Sequence, residues 1–487
     1  MSGISSVLNV AKGALMAQQQ SMAVAGHNIA NVNTLGYSRQ AVLLESSSSF
    51  SMARIKIGMG VQVNSVVQYV DQFIERTIRQ KVSFLNEYES KAHVLSYMET
   101  IFNETSGQGL TQVINEFWDA WQDLANNPGR IPERTALLEK AEILSRRFNS
   151  MRDDLDQSKQ NMNLNLGKSI GTLNGVTKKI AELNEKIVLA ESSKTPANDL
   201  RDQRANLVQK VSELVGTVYL EDDDGSYSVF TTDGTLLVNK NQSWELSQSG
   251  NSVYWNNIPS DISKKLSGGE IGAWLDFRDE VIPQYIANLD ELAGTIIFEV
   301  NDLHYSGFAL NDAVGQKTFF VSNTGDNYVA HTPGASFSGA ARYIALSTDV
   351  KGIPANIAVA GISGGAPGDN ENALKILSLQ TDASIQIRKW TYKDRGETIT
   401  NSLQTATIDD YYRTFTGEIG ILGREFIQNQ EFQQAMMDHL TELRDSVSGV
   451  NLDEEMTQLI QIQRAHDAAA KLVAIADEML QSILQMR

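Results

Sequence analysis

The sequence predicts a multidomain, mainly α-helical protein with inserted β regions. Three observations lead to this prediction. The chain has 487 residues, which is too many for one compact core. A heptad-like series of apolar residues runs along each end of the chain, and segments rich in turn and β-forming residues interrupt the helical pattern between them. We therefore expect paired N- and C-terminal coiled-coil helices, a long helical bundle domain and a projecting β-rich domain.

The first apolar seam lies in residues 4–29. Its members follow one another at alternating steps of four and three residues, with Gln18 as the one polar member. This spacing predicts an amphipathic helix with a narrow apolar stripe, the width that suits a partner helix. The predicted assembly residues of this helix are Ile4, Leu8, Ala11, Leu15, Met22, Ala25 and Ile29.

A second seam with the same alternating steps occupies the far end of the chain, and it too has one polar member, His466. A chain with a seam at each end can close the two on each other. The predicted residues of this seam are Leu459, Ile462, His466, Ala469, Val473, Ala476, Leu480 and Ile483.

Between the seams the pattern changes several times. Helices are expected at about 71–102, 110–124, 132–191, 196–215 and 270–305, and again from 372 to the end, with a less certain stretch at 390–408. Strands are expected at 37–44, in a hairpin that joins 55–57 to 61–63, at 217–260 around Asp224-Gly225 and Asp233-Gly234, and at 308–370. Gly167, Gly171 and Gly175 lie four residues apart within one helical stretch, which predicts either a break or a close helix crossing there.

These elements predict three sets of residues. Residues 1–44 and 447–487 form the terminal coiled-coil domain. Residues 45–216, 262–307 and 372–446 form the mainly helical domain, and 217–261 and 308–371 are β-rich inserts.

The composition excludes several classes of function. Lys and Arg number 41 against 59 Asp and Glu, so the formal charge is −18, which disfavours nucleic-acid binding because phosphate contacts need clustered cations. The chain has no cysteine, so disulfides and thiol chemistry are excluded. No apolar run approaches the roughly 20 residues of a membrane span, and the N-terminus has no secretory signal peptide. We expect neither membrane insertion nor a metal or other cofactor.

The first seam ends in Asn28-Ile29-Ala30-Asn31-Val32-Asn33-Thr34-Leu35-Gly36-Tyr37-Ser38-Arg39. This stretch resembles the N-terminal signature of the bacterial flagellar axial proteins, the family of rod, hook and hook-associated proteins. The C-terminal seam resembles the matching terminal segment of that family. Internal stretches at 109–128, 266–283, 293–307 and 368–373 are similar to the hook-associated members, which join hook to filament. The predicted signature-turn residues are Asn31, Asn33, Thr34, Gly36, Tyr37 and Arg39.

The resemblance implies a structural subunit, not an enzyme, that assembles through its terminal helices. The implied partners are further copies of the chain, the hook protein, the second junction protein, an export chaperone that holds the C-terminal region, and the type III export apparatus. The implied location is the extracellular flagellum at the hook–filament junction, after a transient cytoplasmic stage. We also expect the terminal helices to be mobile in the free chain, because a two-helix seam with several alanines buries little apolar surface.

Two alternatives remain open. The chain could be a hook or distal rod subunit, or a secreted adhesin or hydrolase carried on axial termini. Gly361-Ile362-Ser363-Gly364-Gly365 fits the Gly-x-Ser-x-Gly pattern of hydrolases. It lies in a glycine-rich segment, and only helical histidines follow it, so a plain loop is the favoured interpretation.

Overall fold

A computed structural model describes residues 2–47, 50–52, 55–102, 109–192, 195–310, 315–322 and 337–485. Within these residues the chain is mainly helical, with several small antiparallel sheets, as the sequence predicts. None of the described helices combines the length and the apolar character that a membrane span requires.

Most helices follow the predicted pattern, with ends that differ by a few residues. The helix expected from 372 onward is wrong between Ser378 and Ile408, because the helix that begins there ends at Ser378 and two strands precede the next one. The segment Asn126-Asn127-Pro128-Gly129 separates the third helix from the fourth, and Pro132 near the start of the fourth favours its initiation. The helices are α1 (Ser2–Ala30), α2 (Gln72–Ile101), α3 (Leu110–Asn126), α4 (Ile131–Glu191), α5 (Asn198–Leu214), α6 (Gly269–Asp276), α7 (Ile282–Ser306), α8 (Ala340–Tyr343), α9 (Glu371–Ser378), α10 (Ile408–Ser448) and α11 (Leu452–Gln485). A π-helical turn, Phe277–Val281, joins α6 to α7.

The strands are short and pair antiparallel. They are β1 (Gln40–Ser46), β2 (Phe50–Met52), β3 (Ile55–Ile57), β4 (Val61–Gln68), β5 (Thr217–Glu221), β6 (Tyr227–Thr231), β7 (Leu236–Asn239), β8 (Gln242–Ser243), β9 (Leu246–Ser249), β10 (Ser252–Trp255), β11 (Phe320–Val321), β12 (Ala345–Leu346), β13 (Gln386–Lys393) and β14 (Thr398–Thr405). Strands β5 to β8 form one four-stranded sheet, and the other strands pair in twos.

The chain forms two compact units. The first comprises Met1–Asn86, Ile170–Gly269 and Glu431–Arg487, and the second comprises Glu87–Ser169 and Glu270–Gln430. The predicted division into terminal, helical and β-rich parts is a finer one and stays a prediction.

The first unit holds the terminal helices and most of the small sheets. Helix α1 packs against α11 and also against strands β1 and β4. Gly13 marks the close approach of α1 to the sheet, because a Cβ atom there would lie 2.7 Å from the Val61 carbonyl oxygen. The hairpins of the four-stranded sheet turn at Asp224-Gly225 and Asp233-Gly234, as predicted.

The second unit is built around an aromatic core. Phe117 of α3 packs with Phe319 and Phe320, Trp121 packs with Phe319, and Trp118 packs with Phe117. All five side chains are buried. His304 of α7 is buried beside them. Burial lowers the pKa of His304 to about 4, so its imidazole is neutral at pH 7. Its two ring nitrogens bond the Lys317 carbonyl oxygen and the Ala358 amide, which makes it a structural residue.

The sequence predicts a hairpin that joins 55–57 to 61–63, and this prediction is wrong. Strand β3 pairs with β2, whereas β4 pairs with β1 from Val61 opposite Ser46 to Gln68 opposite Gln40. The longer ladder between β1 and β4 satisfies more backbone groups than a three-residue pairing can. Strand β1 also begins three residues later than predicted, because the amides of residues 37–39 donate to the Thr34 carbonyl oxygen, the Asp202 carboxylate and the Ser448 carbonyl oxygen and not to a partner strand.

The β-rich interpretation of 308–371 is also wrong within its described part. Only the two-residue strands β11 and β12 occur there, and residues 311–314 and 323–336 lie outside the described residues. The longest unpredicted β element is the hairpin of β13 and β14, which falls in the range assigned to the helical domain.

Helix α4 runs unbroken through Gly167, Gly171 and Gly175, which contradicts the predicted break. No close crossing occurs at Gly171 or Gly175 either, because a Cβ atom at each would meet nothing within 4 Å.

Replacing Gly171 and Gly175 by alanine is therefore expected to stabilise the protein, by up to about 1 kcal/mol at each site, because alanine loses less backbone entropy in a helix. Urea unfolding of the full chain measures this. Gly294→Ala in α7 is the contrasting variant, since its Cβ would lie 2.1 Å from the Phe337 ring and should destabilise the protein. A loss of stability in both α4 variants would contradict the expectation.

The candidate assembly site at the paired chain ends

The predicted seam residues lie on the shielded side of each terminal helix. Ala11 and Ala25 of α1 and Ile462, Ala469 and Ala476 of α11 are buried. The half-buried members are Ile4, Leu8, Leu15, Met22, Ile29, Leu459, His466, Val473 and Leu480. The side chain of Ile483 lies outside the described residues. The structure thus brings the two seams together as one helix pair, and their role in assembly stays a prediction.

A tight turn follows α1. The Asn31 side chain donates to the His27 carbonyl oxygen at 3.0 Å, and the Thr34 hydroxyl donates to the Asn31 side chain at 3.1 Å. The Tyr37 amide donates to the Thr34 carbonyl oxygen, and Gly36 takes the left-handed conformation with φ +73°. The turn is therefore set by its own side chains, although the exposed Asn33 takes no part in these bonds.

Glu455, in the first turn of α11, joins the two ends of the chain. Its carboxylate accepts hydrogen bonds from the Arg39 Nε atom at 2.7 Å and the Asn28 side chain at 3.1 Å. The Glu455 side chain is 1% exposed, whereas its neighbour Glu454, which accepts from Arg39 at 3.2 Å, is 61% exposed. A buried carboxylate needs such partners, because an unpaired buried charge is strongly unfavourable.

Asn28 is the second buried member of this network. Its oxygen accepts from the Gln40 amide at 3.0 Å and from the Tyr37 hydroxyl at 2.8 Å, and its nitrogen donates to the Gln40 carbonyl oxygen at 2.9 Å. Asn28 therefore binds the end of α1, the turn and the start of β1 to one another. Burial, together with the nearby carboxylates of Asp199, Asp202 and Glu455, raises the pKa of Tyr37, so its hydroxyl stays protonated.

Helix α5 supplies the other side of the site. Asp202 accepts from the Ser38 amide at 3.0 Å, and Asp199 accepts from the Gln40 side chain at 2.9 Å. The Asn206 side chain donates to the Leu35 carbonyl oxygen at 3.2 Å. The signature turn is thus held between α5 and α11.

Several residues of this site are absent from the predicted site, among them Glu455, Asn28, Asp199 and Asp202. Glu455 lies four residues before Leu459 and continues the heptad spacing of the C-terminal seam. A carboxylate at a seam position could have been recognised from the sequence as a candidate site residue. Asn28 could have been recognised in the same way, because it is the first residue of the signature stretch. Asp199 and Asp202 lie more than 150 residues from their partners, and no local pattern marks them.

The pKa of Asp202 yields a test of this arrangement. Burial raises it from an ordinary 3.8 to about 6, so the folded protein binds a proton more tightly than the unfolded chain. The carboxyl therefore costs no stability below about pH 4, and the cost grows as the pH rises from about 4 to 6 and is complete above that range.

Asp202→Asn is expected to raise the free energy of unfolding by about 1–3 kcal/mol at pH 7.5, and by much less at pH 4, because the amide keeps an acceptor for Ser38 without the charge. Urea unfolding of both proteins at the two pH values measures the difference. An equal effect at both pH values would contradict this account of Asp202.

No group of three or more His, Asp or Glu side chains among the described residues could hold a metal ion. In the segment at 361–365, the Gly361 and Ile362 amides donate to the Asp369 carboxylate, and the segment forms bends in place of the strand–turn–helix elbow that a nucleophilic serine needs.

Three family models match separate parts of the chain. Residues 95–320 match the helical domain of flagellar hook-associated protein FlgK. Residues 8–37 match the flagella basal body rod protein family, and residues 444–486 match the C-terminal family of flagellar basal body rod FlgEFG proteins. The two terminal matches cover most of α1 and α11.

Similar proteins extend over the whole chain. Flagellar hook-associated protein 1 of Bacillus subtilis is 28% identical, and the alignment covers 98% of this chain and 97% of that protein. The protein of the same name from Escherichia coli is 25% identical, with 99% of this chain and 100% of that protein covered. The flagellar hook junction protein FlgK from Burkholderia pseudomallei has a similar fold, with a TM-score of 0.62 and 16% identity, over 77% of this chain and 100% of that chain.

Paired terminal helices, the turn after the first of them and the rod-type matches at both ends define an axial structural protein of the bacterial flagellum. The matches between the ends are more specific. Along nearly its whole length the chain is similar to flagellar hook-associated protein 1 of these bacteria, and residues 95–320 match the FlgK helical domain.

Proposed function

We propose that this chain is the structural subunit that joins the flagellar hook to the filament. One observation carries the proposal: residues 427 positions apart in sequence, Asn28 and Glu455, are hydrogen-bonded at the base of a pair formed by the two terminal helices. Such a pair fixes both chain ends in one element, which is what a subunit needs if it assembles through its termini.

The outer face of α11 supports self-assembly. Met456, Ile460, Leu472, Ile475 and Met479 are each about half exposed, although they lie on a helix whose other face is already covered by α1. Exposed apolar side chains that are close to one another mark interaction surfaces, and both Met456 with Ile460 and Leu472 with Ile475 and Met479 lie at helical spacing. Neighbouring copies would cover this stripe in the flagellum, where the hook protein and the second junction protein are the further partners.

The same stripe suits an export partner. Before assembly, an apolar C-terminal helix face needs protection from aggregation, and a flagellar export chaperone would supply it. The chain would then pass through the type III apparatus from a transient cytoplasmic stage to the extracellular junction.

The helix pair would be mobile in the free chain and ordered on assembly. Its buried seam side chains include Ala11, Ala25, Ala469 and Ala476, and alanine gains little from burial. Hydrogen exchange of the free full-length chain tests this, with fast exchange expected at residues 4–29. Slow exchange there would show that the pair is already stable in the monomer.

Immunogold labelling of detached flagella tests the proposed function. A narrow band where hook meets filament is the expected result. Label along the whole hook would indicate a hook subunit, and label near the hook base would indicate a distal rod subunit. Absence of label would favour a secreted adhesin or hydrolase.

A further inference from the structure

The hairpin of β13 and β14 has two very different edges. The strands pair without irregularity from Gln386 opposite Thr405 to Lys393 opposite Thr398. No third strand joins this sheet among the described residues. Each strand therefore has one edge whose backbone groups the other strand does not satisfy.

Side chains cap the outer edge of β13. The Asn288 side chain bonds both the amide and the carbonyl oxygen of Trp390, at 2.7 and 3.2 Å. Gln284 accepts from the Tyr392 amide, and the Tyr411 hydroxyl donates to the Arg388 carbonyl oxygen. Helices α7 and α10 thus complete this edge.

The outer edge of β14 has no such cap in the part of the chain that the structure describes. In an antiparallel pair, two opposite residues either bond each other through their backbone groups or both point these groups away. Trp390 points its amide and carbonyl oxygen away from β14, so Asn401, which lies opposite it, points its own away from β13. The same holds for Ile399 and Leu403. All eight residues of β14 are exposed, and none carries a charge. Natural edge strands are commonly protected by charge, proline or a covering element, and β14 has none of these.

The sequence of β14 is nearly self-complementary about Asn401. Reversing the strand places Ile399 opposite Leu403, Thr400 opposite Ser402 and Asn401 opposite itself. The apolar pairs then lie at residues whose backbone groups point outward, and the two Asn401 amide side chains face each other.

We propose that β14 pairs antiparallel with β14 of a second copy of this chain, on a two-fold axis at Asn401. The product is a four-stranded sheet in which each copy covers the uncharged edge of the other. A two-fold contact of this kind closes on itself, so it belongs to the free chain and not to an open axial assembly. One strand pair buries a small area, which makes the dimer weak and dependent on concentration.

Sedimentation velocity of the full-length chain, from about 5 to about 500 μM, tests the pairing. The native chain is expected to form dimers as its concentration rises. Asn401→Pro removes one outward amide from each copy and is expected to weaken association at least about tenfold. The double variant Ile399→Lys/Leu403→Lys places like charges at both ends of the contact and is expected to stay monomeric.

The matched control is Ile362→Lys/Leu374→Lys, which makes the same change in charge at exposed apolar residues outside the hairpin. It is expected to dimerise like the native chain. A chain that is monomeric at every concentration, or a dimer that survives the β14 variants, would overturn the proposal.

Cross-linking tests the register independently, because the native chain has no cysteine. In Asn401→Cys the two thiols would lie on directly opposite residues, about 5.5 Å apart at Cα, within the range of a disulfide. In Thr405→Cys they would lie about 27 Å apart, at 3.4 Å per residue. Mild oxidation is expected to link the first variant and not the second. Equal cross-linking, or none, would contradict the two-fold axis at Asn401.

Discussion

Glu455→Ala is expected to separate the terminal helices at their base. The substitution removes the carboxylate that accepts from Arg39 and Asn28, and it leaves a buried amide without one of its partners. Removing one member of a buried ion pair typically costs about 3–5 kcal/mol. Arg39 is 24% exposed and can still reach Glu454, so a local loss of about 2–4 kcal/mol is the better expectation.

Hydrogen exchange around residues 31–40, in the turn after α1 and the start of β1, measures this loss. Because 1.4 kcal/mol corresponds to a factor of ten, exchange there should accelerate by roughly 30- to 1,000-fold, and the second compact unit should be unaffected. In cells, the variant should fail to build the junction and should not swim.

Glu454→Ala is the control for Glu455→Ala. It removes the adjacent carboxylate, which bonds the same arginine but lies in solvent, and exposed ion pairs contribute about 0–1 kcal/mol. Equal effects of the two substitutions would mean that burial of Glu455 is not what holds the chain ends together.

The heptad spacing predicts the shielded side of α11 well, because a helix repeats its faces regularly and apolar side chains pack against a partner. The positions between Leu459 and Leu480 that the seam omits are exposed in the structure. In α1 the spacing omits Ala17 and Val24, which are also buried. The polar network at the base of the helix pair cannot be predicted from this spacing. Its members are single residues brought together from α1, α5 and α11, and only folding makes Asn28 a neighbour of Glu455.

The wrong hairpin and the unpredicted strand β13 have a related cause. Alternation identifies 55–57 and 61–63 as strands, but it does not determine their partners, and β4 finds a longer one in β1. Strand β13 has few purely apolar residues and is stabilised by polar side chains such as Asn288 and Tyr411. The pattern of apolar residues in the sequence does not reveal these polar contacts.

Gly36→Val is expected to impair assembly far more than folding. Gly36 has φ +73°, a conformation that is strongly unfavourable for a β-branched residue. A Cβ atom at this position would also lie 1.9 Å from the Asn206 side-chain oxygen. Asn206 is exposed and can swing away, but it then loses its bond to the Leu35 carbonyl oxygen, and the backbone strain remains.

The strain amounts to about 1–3 kcal/mol, which the first compact unit can absorb by a change in the turn. Urea unfolding of the full chain should therefore shift only modestly. The direction in which α1 leaves the turn depends on this residue, however, and an altered angle misplaces the whole helix in an assembly. Swimming and immunogold counts of completed junctions should fall sharply.

Two further variants separate the causes. Gly36→Ala with Asn206→Ala removes the clash but keeps the strain of a left-handed alanine, so assembly should remain impaired. Gly417→Val changes an exposed glycine in α10 with nothing within 4 Å of its Cβ position, and it should assemble normally. Normal assembly of Gly36→Val would mean that neighbouring subunits, and not the turn, set the direction of the N-terminal helix.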